Sequence, residues 1–292
     1  MGQDLDGRVI VVTGANSGVG VATASELAKL GAEVVLACRN LDKANAVREQ
    51  IDAFVGRSAA AVVEVDLSDL DSVAKCADRL AAFSPDTLIN NAGGAMQTRR
   101  VTKDGFELTW VTNYLGHYAL TRLLLDGPRR PTLVINISSN GHRMTRGIRW
   151  DDISLERHWR SMSAYAQSKL AQVLFTQELV RRYGDQGVDA HAIHPGFVRS
   201  NFYDGTDSGG VVQRATAFAV RHFAISPDEA ATAVVHVATS AEVHDRSGAY
   251  WVRSQPKTPS RAARDVVAAR RLWQISEDQV NGAGIPLTAT QP

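Results

Sequence analysis

Short, unbroken apolar runs rich in β-branched residues alternate with stretches of helical periodicity along most of this chain, and that alternation constrains the fold more than any other feature. Val9-Ile10-Val11-Val12-Thr13 is the first run. Residues 17–30 follow with Val19, Ala22, Leu27 and Leu30 at helical spacing; Gly31 stops them, and Val34-Val35-Leu36-Ala37 is the second run. A strand wetted on one face alternates polar and apolar residues. These runs do not alternate, as expected of strands covered on both faces of a parallel sheet. The reading continues with a helix over 42–55, a strand at 61–65, a helix at 69–83, a strand at 87–89 and a long helix over 104–125. A strand at 132–137, a helix at 161–183, a strand at 188–193, a helix at 227–239 and a last short strand at 249–252 complete it. The spacing predicts an α/β fold: a doubly wound parallel sheet with right-handed crossovers, the Rossmann arrangement. No internal repeat or low-complexity linker divides residues 1–292, so one domain is expected.

Two stretches interrupt the alternation. Residues 140–160 mix polar and aromatic side chains, among them His142, Met144, Trp150, His158 and Trp159. Residues 197–225 carry Gly205, Gly209 and Gly210 with Phe197, Phe202, Tyr203 and Phe223. Both follow carboxyl ends of expected strands, where open α/β sheets bind ligands, so both are expected to form a substrate pocket. The three glycines are candidate hinges of a lid. The aromatics point to a bulky, apolar small molecule. After Pro256 comes a modest helical pattern over 262–273 and then a Gly/Pro/Thr-rich end expected to be loosely ordered, the whole forming a tail at 257–292.

Composition narrows the partners. A formal net charge of +1 gives no electrostatic reason to bind nucleic acid or an anionic membrane. No apolar run is long enough to span a bilayer. The N-terminus lacks a basic-then-apolar leader, so a cytoplasmic protein is expected. The cysteines, Cys38 and Cys76, have no metal or disulfide spacing and suit a reducing compartment.

Between the first strand and first helix stands Thr13-Gly14-Ala15-Asn16-Ser17-Gly18-Val19-Gly20. Its glycines leave backbone room for a pyrophosphate, and the helix behind them offers unpaired N–H groups and the positive end of its dipole. Because the turn lies inside a βαβ unit, it reads as a dinucleotide site. Gly14, Asn16, Ser17, Gly18, Val19 and Gly20 are its candidate cofactor contacts. Cys38-Arg39-Asn40 ends the second strand. A carboxylate there would bind the 2′-hydroxyl of NAD; here Arg39, with Asn40 beside it, offers a cation to a 2′-phosphate instead. NADP(H) is therefore expected in preference to NAD(H).

Tyr165 and Lys169 lie four residues apart within the 161–183 helix, on one face. A free phenol titrates near ~10, and a neighbouring ammonium favours the phenolate, so Tyr165 is a candidate general acid/base.

Taken in order, T-G-A-N-S-G-V-G at 13–20, D-L-S at 66–68, N-N-A-G at 90–93, Asn113, I-S-S at 137–139, Y-A-Q-S-K at 165–169 and H-P-G-F-V-R-S at 194–200 resemble the short-chain dehydrogenase/reductase family over nearly the whole chain. The C-R-N after the second strand and the long insert before the Tyr resemble its retinol-dehydrogenase-like branch. The resemblance implies a catalytic set of Asn113, Ser139, Tyr165 and Lys169. Tyr165 would exchange a proton with the substrate oxygen and Ser139 would hydrogen-bond that oxygen, while Ser138 would be structural. Lys169 would steady the phenolate and bind the nicotinamide ribose, and Asn113 would anchor a water linking Lys169 to solvent. Asp66 and Leu67 would meet the adenine. Asn90, Ala92 and Gly93 would line the middle of the cofactor. Pro195, Gly196 and Val198 would lie against the carboxamide, with Ser200 closing that motif where the family often has Thr.

The resemblance thus implies an NAD(P)-dependent ketoreductase or alcohol dehydrogenase of a bulky apolar molecule, with a biosynthetic pathway as its expected setting. A non-redox cyclisation or elimination in the same pocket, and a cofactor-binding regulator, are the alternatives. No His stands in metal spacing with Asp or Glu, and no metal is expected. His142 and His158 are candidates to reach substrate, and His117 reads as a packed helix residue. Family members often form homodimers through the 104–125 and 161–183 helices. Leu174, Phe175 and Leu179 suit such an interface or intramolecular packing, and the tail could cover part of that face.

Overall fold

Successive residues of each inner strand feed two different cores. A computed structural model describes residues 5–198 and 224–288. In β1 (Val9–Thr13), Val11 joins one apolar cluster while Ile10 and Val12 join the other. The same division separates Val35 from Val34 and Leu36 in β2 (Glu33–Cys38), and Leu88 from Ile89 in β4 (Thr87–Asn90). Two cores, one on each side of the sheet, are the physical reason these strands lack polar alternation.

The sheet has eight strands in the order β3-β2-β1-β4-β5-β6-β7-β8, with β3 at Ala60–Glu64, β5 at Leu133–Ile137, β6 at Asp189–His194, β7 at Tyr250–Val252 and β8 at Gln255–Lys257. β1 to β7 pair in parallel, and β8 returns antiparallel to β7. The order reverses where β1 lies between β2 and β4, which opens a crevice at the carboxyl ends of β1 and β4. One face carries α1 (Gly18–Lys29) and α2 (Leu41–Val55). The other carries α3 (Leu70–Ala81), and then a helical rod made of α4 (Leu108–Trp110), a π turn at Val111–Leu115 and α5 (Gly116–Leu125). α6 (Ser161–Tyr183) lies beside α5, and α7 (Pro227–Thr239) packs against α1.

Four details differ from the sequence reading. The helix expected from residue 104 begins at Leu108, because Gly105 adopts φ 83°, Val101 bridges Glu107, and the Glu107 carboxylate caps Trp110 N–H at 2.8 Å. That helix also contains a π turn, a feature that tends to mark functional positions. The strand expected to be last is followed by β8, whose Gln-Pro-Lys sequence gives little strand signal; Pro256 is tolerated at the sheet edge. The helix expected over 262–273 is a short 3-10 turn (Ala262–Arg264) and then α8 (Val266–Gly282), capped by Asp265.

α8 lies on α6. Its fully buried Trp273 meets Tyr118 and Phe175 at 5.2 and 5.8 Å between ring centroids. The buried Arg122 guanidinium stacks 5.0 Å from Trp273 and donates to Glu277 and to the carbonyl of Thr288. The tail is thus tied down as far as residue 288, and the α5–α6 face offered for dimerisation is covered by the chain's own helix.

Candidate active site

The nucleotide crevice is shaped by backbone. Gly14 and Gly18 hold φ 66° and 52°, in the left-handed region that favours glycine. A Cβ on Gly20 would lie 2.5 Å from the Gly14 carbonyl oxygen and 2.7 Å from Asn91 Nδ2, so α1 approaches the turn closely only because residue 20 has no side chain. Thr13 pins the opposite wall: its Oγ1 accepts from Asn91 N–H at 2.9 Å and Ala92 N–H at 3.0 Å. Among the described residues, nothing lies within 4 Å of a Cβ built on the exposed Gly18. The N-cap Ser17 makes no side-chain cap, and the first turn of α1 has no acid. Open space above uncapped helical N–H groups fits a phosphate, so Gly14, Asn16, Ser17, Gly18, Val19 and Gly20 could hold the diphosphate of a dinucleotide.

At the end of β2, Arg39 is exposed, its guanidinium 3.7 Å from Asp66. The other Asp66 oxygen accepts from Ser68 N–H and Oγ. Three of the expected contacts are also held within the protein. Asn40 caps α2 through Lys43 N–H at 2.9 Å, a cap worth about 1 kcal/mol. Leu67 is buried in the core, its carbonyl packed against Gly116. The Asn90 amide is fully buried and donates to Thr121 Oγ1 and Asn136 Oδ1, so its side chain braces the sheet instead of lining the crevice. Ala92 and Gly93 do border the crevice: Gly14 packs on Ala92, and Gly93 (φ 149°) lies against the Asn113 side chain.

The chemical centre stands at the carboxyl end of β5. Ser139 Oγ accepts from Gly141 N–H at 3.0 Å, which leaves its proton to donate outward. A Cβ on Gly141 would lie 3.0 Å from Tyr165 Cε1 and 3.4 Å from Ser139 Oγ, so this glycine is where the Tyr165 ring and the Ser139 hydroxyl converge. Ser138 points inward and donates to the Lys169 carbonyl at 2.8 Å, which is the structural role expected of it. Lys169 Nζ lies 5.6 Å from the Tyr165 ring centroid. Burial pulls its ammonium down from the ordinary lysine value to about 7.

Asn113 stands in the π turn, with its side chain bound to Gly94 N–H, Gly94 O and Ser168 Oγ. Its backbone carbonyl meets Lys169 through Gln172: Lys169 Nζ donates to Gln172 Oε1 at 3.0 Å, and Gln172 Nε2 donates to the Asn113 carbonyl at 2.8 Å. His117 Nδ1 donates to the same carbonyl at 3.1 Å, which accounts for its second lone pair.

β6 ends at His194, followed by buried Pro195 and by Gly196 at φ 127°. Val198 bridges Ile225, closing the base of the second insert. Ser200, Phe202, Tyr203, Gly205, Gly209, Gly210 and Phe223 lie outside the described residues. Three other substrate candidates, His142, Trp159 and Trp150, are engaged within the protein. His142 is fully buried, donating through Nδ1 to the Ser139 carbonyl at 2.7 Å and accepting at Nε2 from Ser260 N–H at 3.1 Å. Trp159 donates to the buried Glu107 at 3.0 Å, and Trp150 lies under the Arg271 guanidinium at 4.7 Å. These tryptophans fasten the first insert to the body of the protein. His158 is exposed.

Gln172 and Gly141, and the linking roles of His117 and Thr13, are what sequence reasoning did not assign. Only Gln172 carried a usable signal, as a polar residue three positions after Lys169 on the same helix face.

A dinucleotide crevice at the switch point of a parallel sheet, with Ser, Tyr and Lys gathered beside it, defines a nucleotide-dependent oxidoreductase. The family model described as short chain dehydrogenase matches residues 8–208, and the chain belongs to that family, in its retinol-dehydrogenase-like branch. It is 37% identical to human retinol dehydrogenase 13 over 99% of this chain and 88% of that protein. It is also 37% identical to human retinol dehydrogenase 11, over 97% of this chain and 88% of that one. Among solved structures, an uncharacterized protein from Mycobacterium paratuberculosis superposes with a TM-score of 0.78 at 34% identity, covering 96% of both chains. A blue fluorescent protein from a metagenomic library, in complex with NADPH, superposes with a TM-score of 0.66 at 25% identity, covering 86% of this chain and 97% of that one. The protein is an NAD(P)-dependent oxidoreductase acting on CH–OH or C=O groups.

Proposed function

We propose that this enzyme uses NADPH to reduce the carbonyl of a bulky apolar small molecule, or oxidises the corresponding alcohol, with Tyr165 as proton donor or acceptor. The observation that carries the reading is the meeting of Ser139 Oγ and the Tyr165 ring at Gly141, with Lys169 Nζ 5.6 Å from that ring. The nicotinamide, when bound, supplies or accepts the hydride. The chain's own groups do the rest. Ser139 donates its free O–H to the substrate oxygen and orients it. Tyr165 delivers a proton to that oxygen during reduction and takes one during oxidation. Lys169, charged below about pH 7, stabilises the phenolate that reduction leaves.

Preference for NADPH is supported by the exposed Arg39 at the end of β2, where Cys38 presents no carboxylate to repel a 2′-phosphate. An apolar substrate is supported by relatives named for retinol, an apolar alcohol. The inserts at 140–160 and 197–225 would form its pocket. A cytoplasmic setting is supported by two free, buried cysteines. Among the described residues no helix is long and apolar enough to cross a membrane.

The test is to incubate the purified protein with NADPH or NADH and a panel of polyene, steroidal and short aliphatic carbonyls, and to weigh the products. The expected result is NADPH consumption matched by a product two hydrogens heavier, with NADPH preferred by about tenfold, roughly 1.4 kcal/mol. A product of unchanged mass, or one lighter by an expelled water, with no NADPH consumed would show a non-redox enzyme. Bound NADPH with no turnover across the panel would favour a regulator.

A further inference from the structure

Lys169 makes two hydrogen bonds through Nζ among the described residues, to the Ile137 carbonyl at 2.7 Å and to Gln172 Oε1 at 3.0 Å. The first ties the ammonium to β5. The second ties it to a residue that the family motifs named above do not include. Gln172 is buried, and its amide has one allowed orientation. The Asn113 carbonyl can only accept, so Nε2 must face it and Oε1 must face the lysine. The network continues inward with its polarity equally fixed. His117 Nδ1–H donates to the Asn113 carbonyl, so His117 Nε2 accepts from the Thr13 hydroxyl at 2.9 Å. The Thr13 oxygen in turn holds the N–H groups of Asn91 and Ala92 at the crevice wall.

We propose that Gln172 is a positioning residue: its amide bridges the Asn113 carbonyl to Lys169, holds the ammonium facing Tyr165, and couples it through His117 and Thr13 to the wall of the nucleotide crevice. The inference rests on the reading of Tyr165 and Lys169 as the catalytic pair. The amide oxygen also has an electrostatic consequence, because an acceptor on the ammonium favours its charged form. Among the described residues, the titratable groups facing Lys169 are Tyr165 on its own helix, His117 on α5 and His194 at the end of β6, none of them a carboxylate. Burial holds His117 near 3 and His194 near 4, so both are neutral where Lys169 titrates. Hydrogen-bond donation to Gln172 and Ile137 is what opposes the desolvation of the lysine.

Two substitutions separate positioning from bulk. Gln172→Met keeps length and burial but removes both hydrogen bonds. Gln172→Glu keeps an acceptor on the lysine and adds a carboxylate. The readout is the titration of Lys169 in the full-length protein, followed by NMR of lysines labelled at Cε and assigned with Lys169→Arg. The pH profile of turnover is a second readout. The expected result is a Lys169 titration near pH 7 in the parent, lower by about one pH unit in the Met variant and higher by at least as much in the Glu variant. The inflection of the rate profile moves with it. A titration unmoved by Gln172→Met, or moved in the same direction by both substitutions, overturns the proposal. If the Glu variant does not fold, the Met variant alone decides by the same criterion. Tyr165→Phe keeps the outcomes distinguishable. Turnover surviving that change defeats the catalytic reading while the NMR titration still reports on Gln172.

Discussion

The nucleotide crevice and the Tyr165 centre sit side by side at the carboxyl edge of one sheet, yet they are built by different means. The crevice is made of backbone: left-handed glycines at 14 and 18, a missing side chain at 20, and helical N–H groups left uncapped. The centre is made of side chains held by one another, with half-buried Ser139 and Tyr165 resting on a buried network. Lys169 is held by Gln172, Gln172 by Asn113, and Ser139 by Gly141 N–H with its carbonyl held by His142. A backbone site tolerates variation around it but no added Cβ. A side-chain site can give by tenths of an ångström when a group is added, but it loses function as its reacting groups are moved or a link of its network is cut.

This contrast predicts which function fails when each region is disturbed. The larger effect is expected from Gly20→Ala. Its Cβ would meet the Gly14 carbonyl oxygen at 2.5 Å and Ala15 Cα at 3.0 Å, and backbone cannot swing aside as a flexible side chain would. Overpacking of this kind costs ~1–3 kcal/mol. Cofactor titration should show binding weakened by about 10- to 100-fold, with turnover at saturating cofactor largely kept. Equal losses in both would blur the comparison. A smaller effect is expected from Gly141→Ala, whose Cβ would lie 3.0 Å from Tyr165 Cε1, so the ring must give by tenths of an ångström. Steady-state kinetics should show turnover reduced by about tenfold with cofactor affinity unchanged, since misplacement by 1 Å can cost ~100-fold. A change confined to cofactor affinity would place Gly141 on the wrong side of the divide.

The same contrast explains what could be read in advance. The alternating runs were legible because a parallel strand covered on both faces leaves no position for a polar residue, as Val11 and its neighbours in separate cores illustrate. The glycine turn was legible because a left-handed backbone restricts residue type so strongly. Tyr165, Lys169 and Ser139 were legible through family motifs, and the structure brings them together. The supporting links were not. Gln172 meets Asn113 across 59 positions, Thr13 meets His117 across 104, and His142 meets Ser260 across 118. No local pattern encodes such pairings. For the same reason His142, Trp150 and Trp159 read as substrate contacts, although their partners are Ser139, Arg271 and Glu107. The end of α8 escaped notice because Trp273 and Arg122 fix it through contacts between distant segments.

The division of labour is tested most directly by Tyr165→Phe, measured for turnover and for NADPH affinity in the same preparation. The Tyr165 hydroxyl is removed while the ring that packs on Gly141 is kept. Proton transfer by a positioned side chain contributes about 100- to 10,000-fold, so turnover should fall by at least that range with NADPH affinity unchanged within about twofold. Near-normal turnover, or a loss explained by weakened cofactor binding, would contradict the assignment of proton transfer to Tyr165.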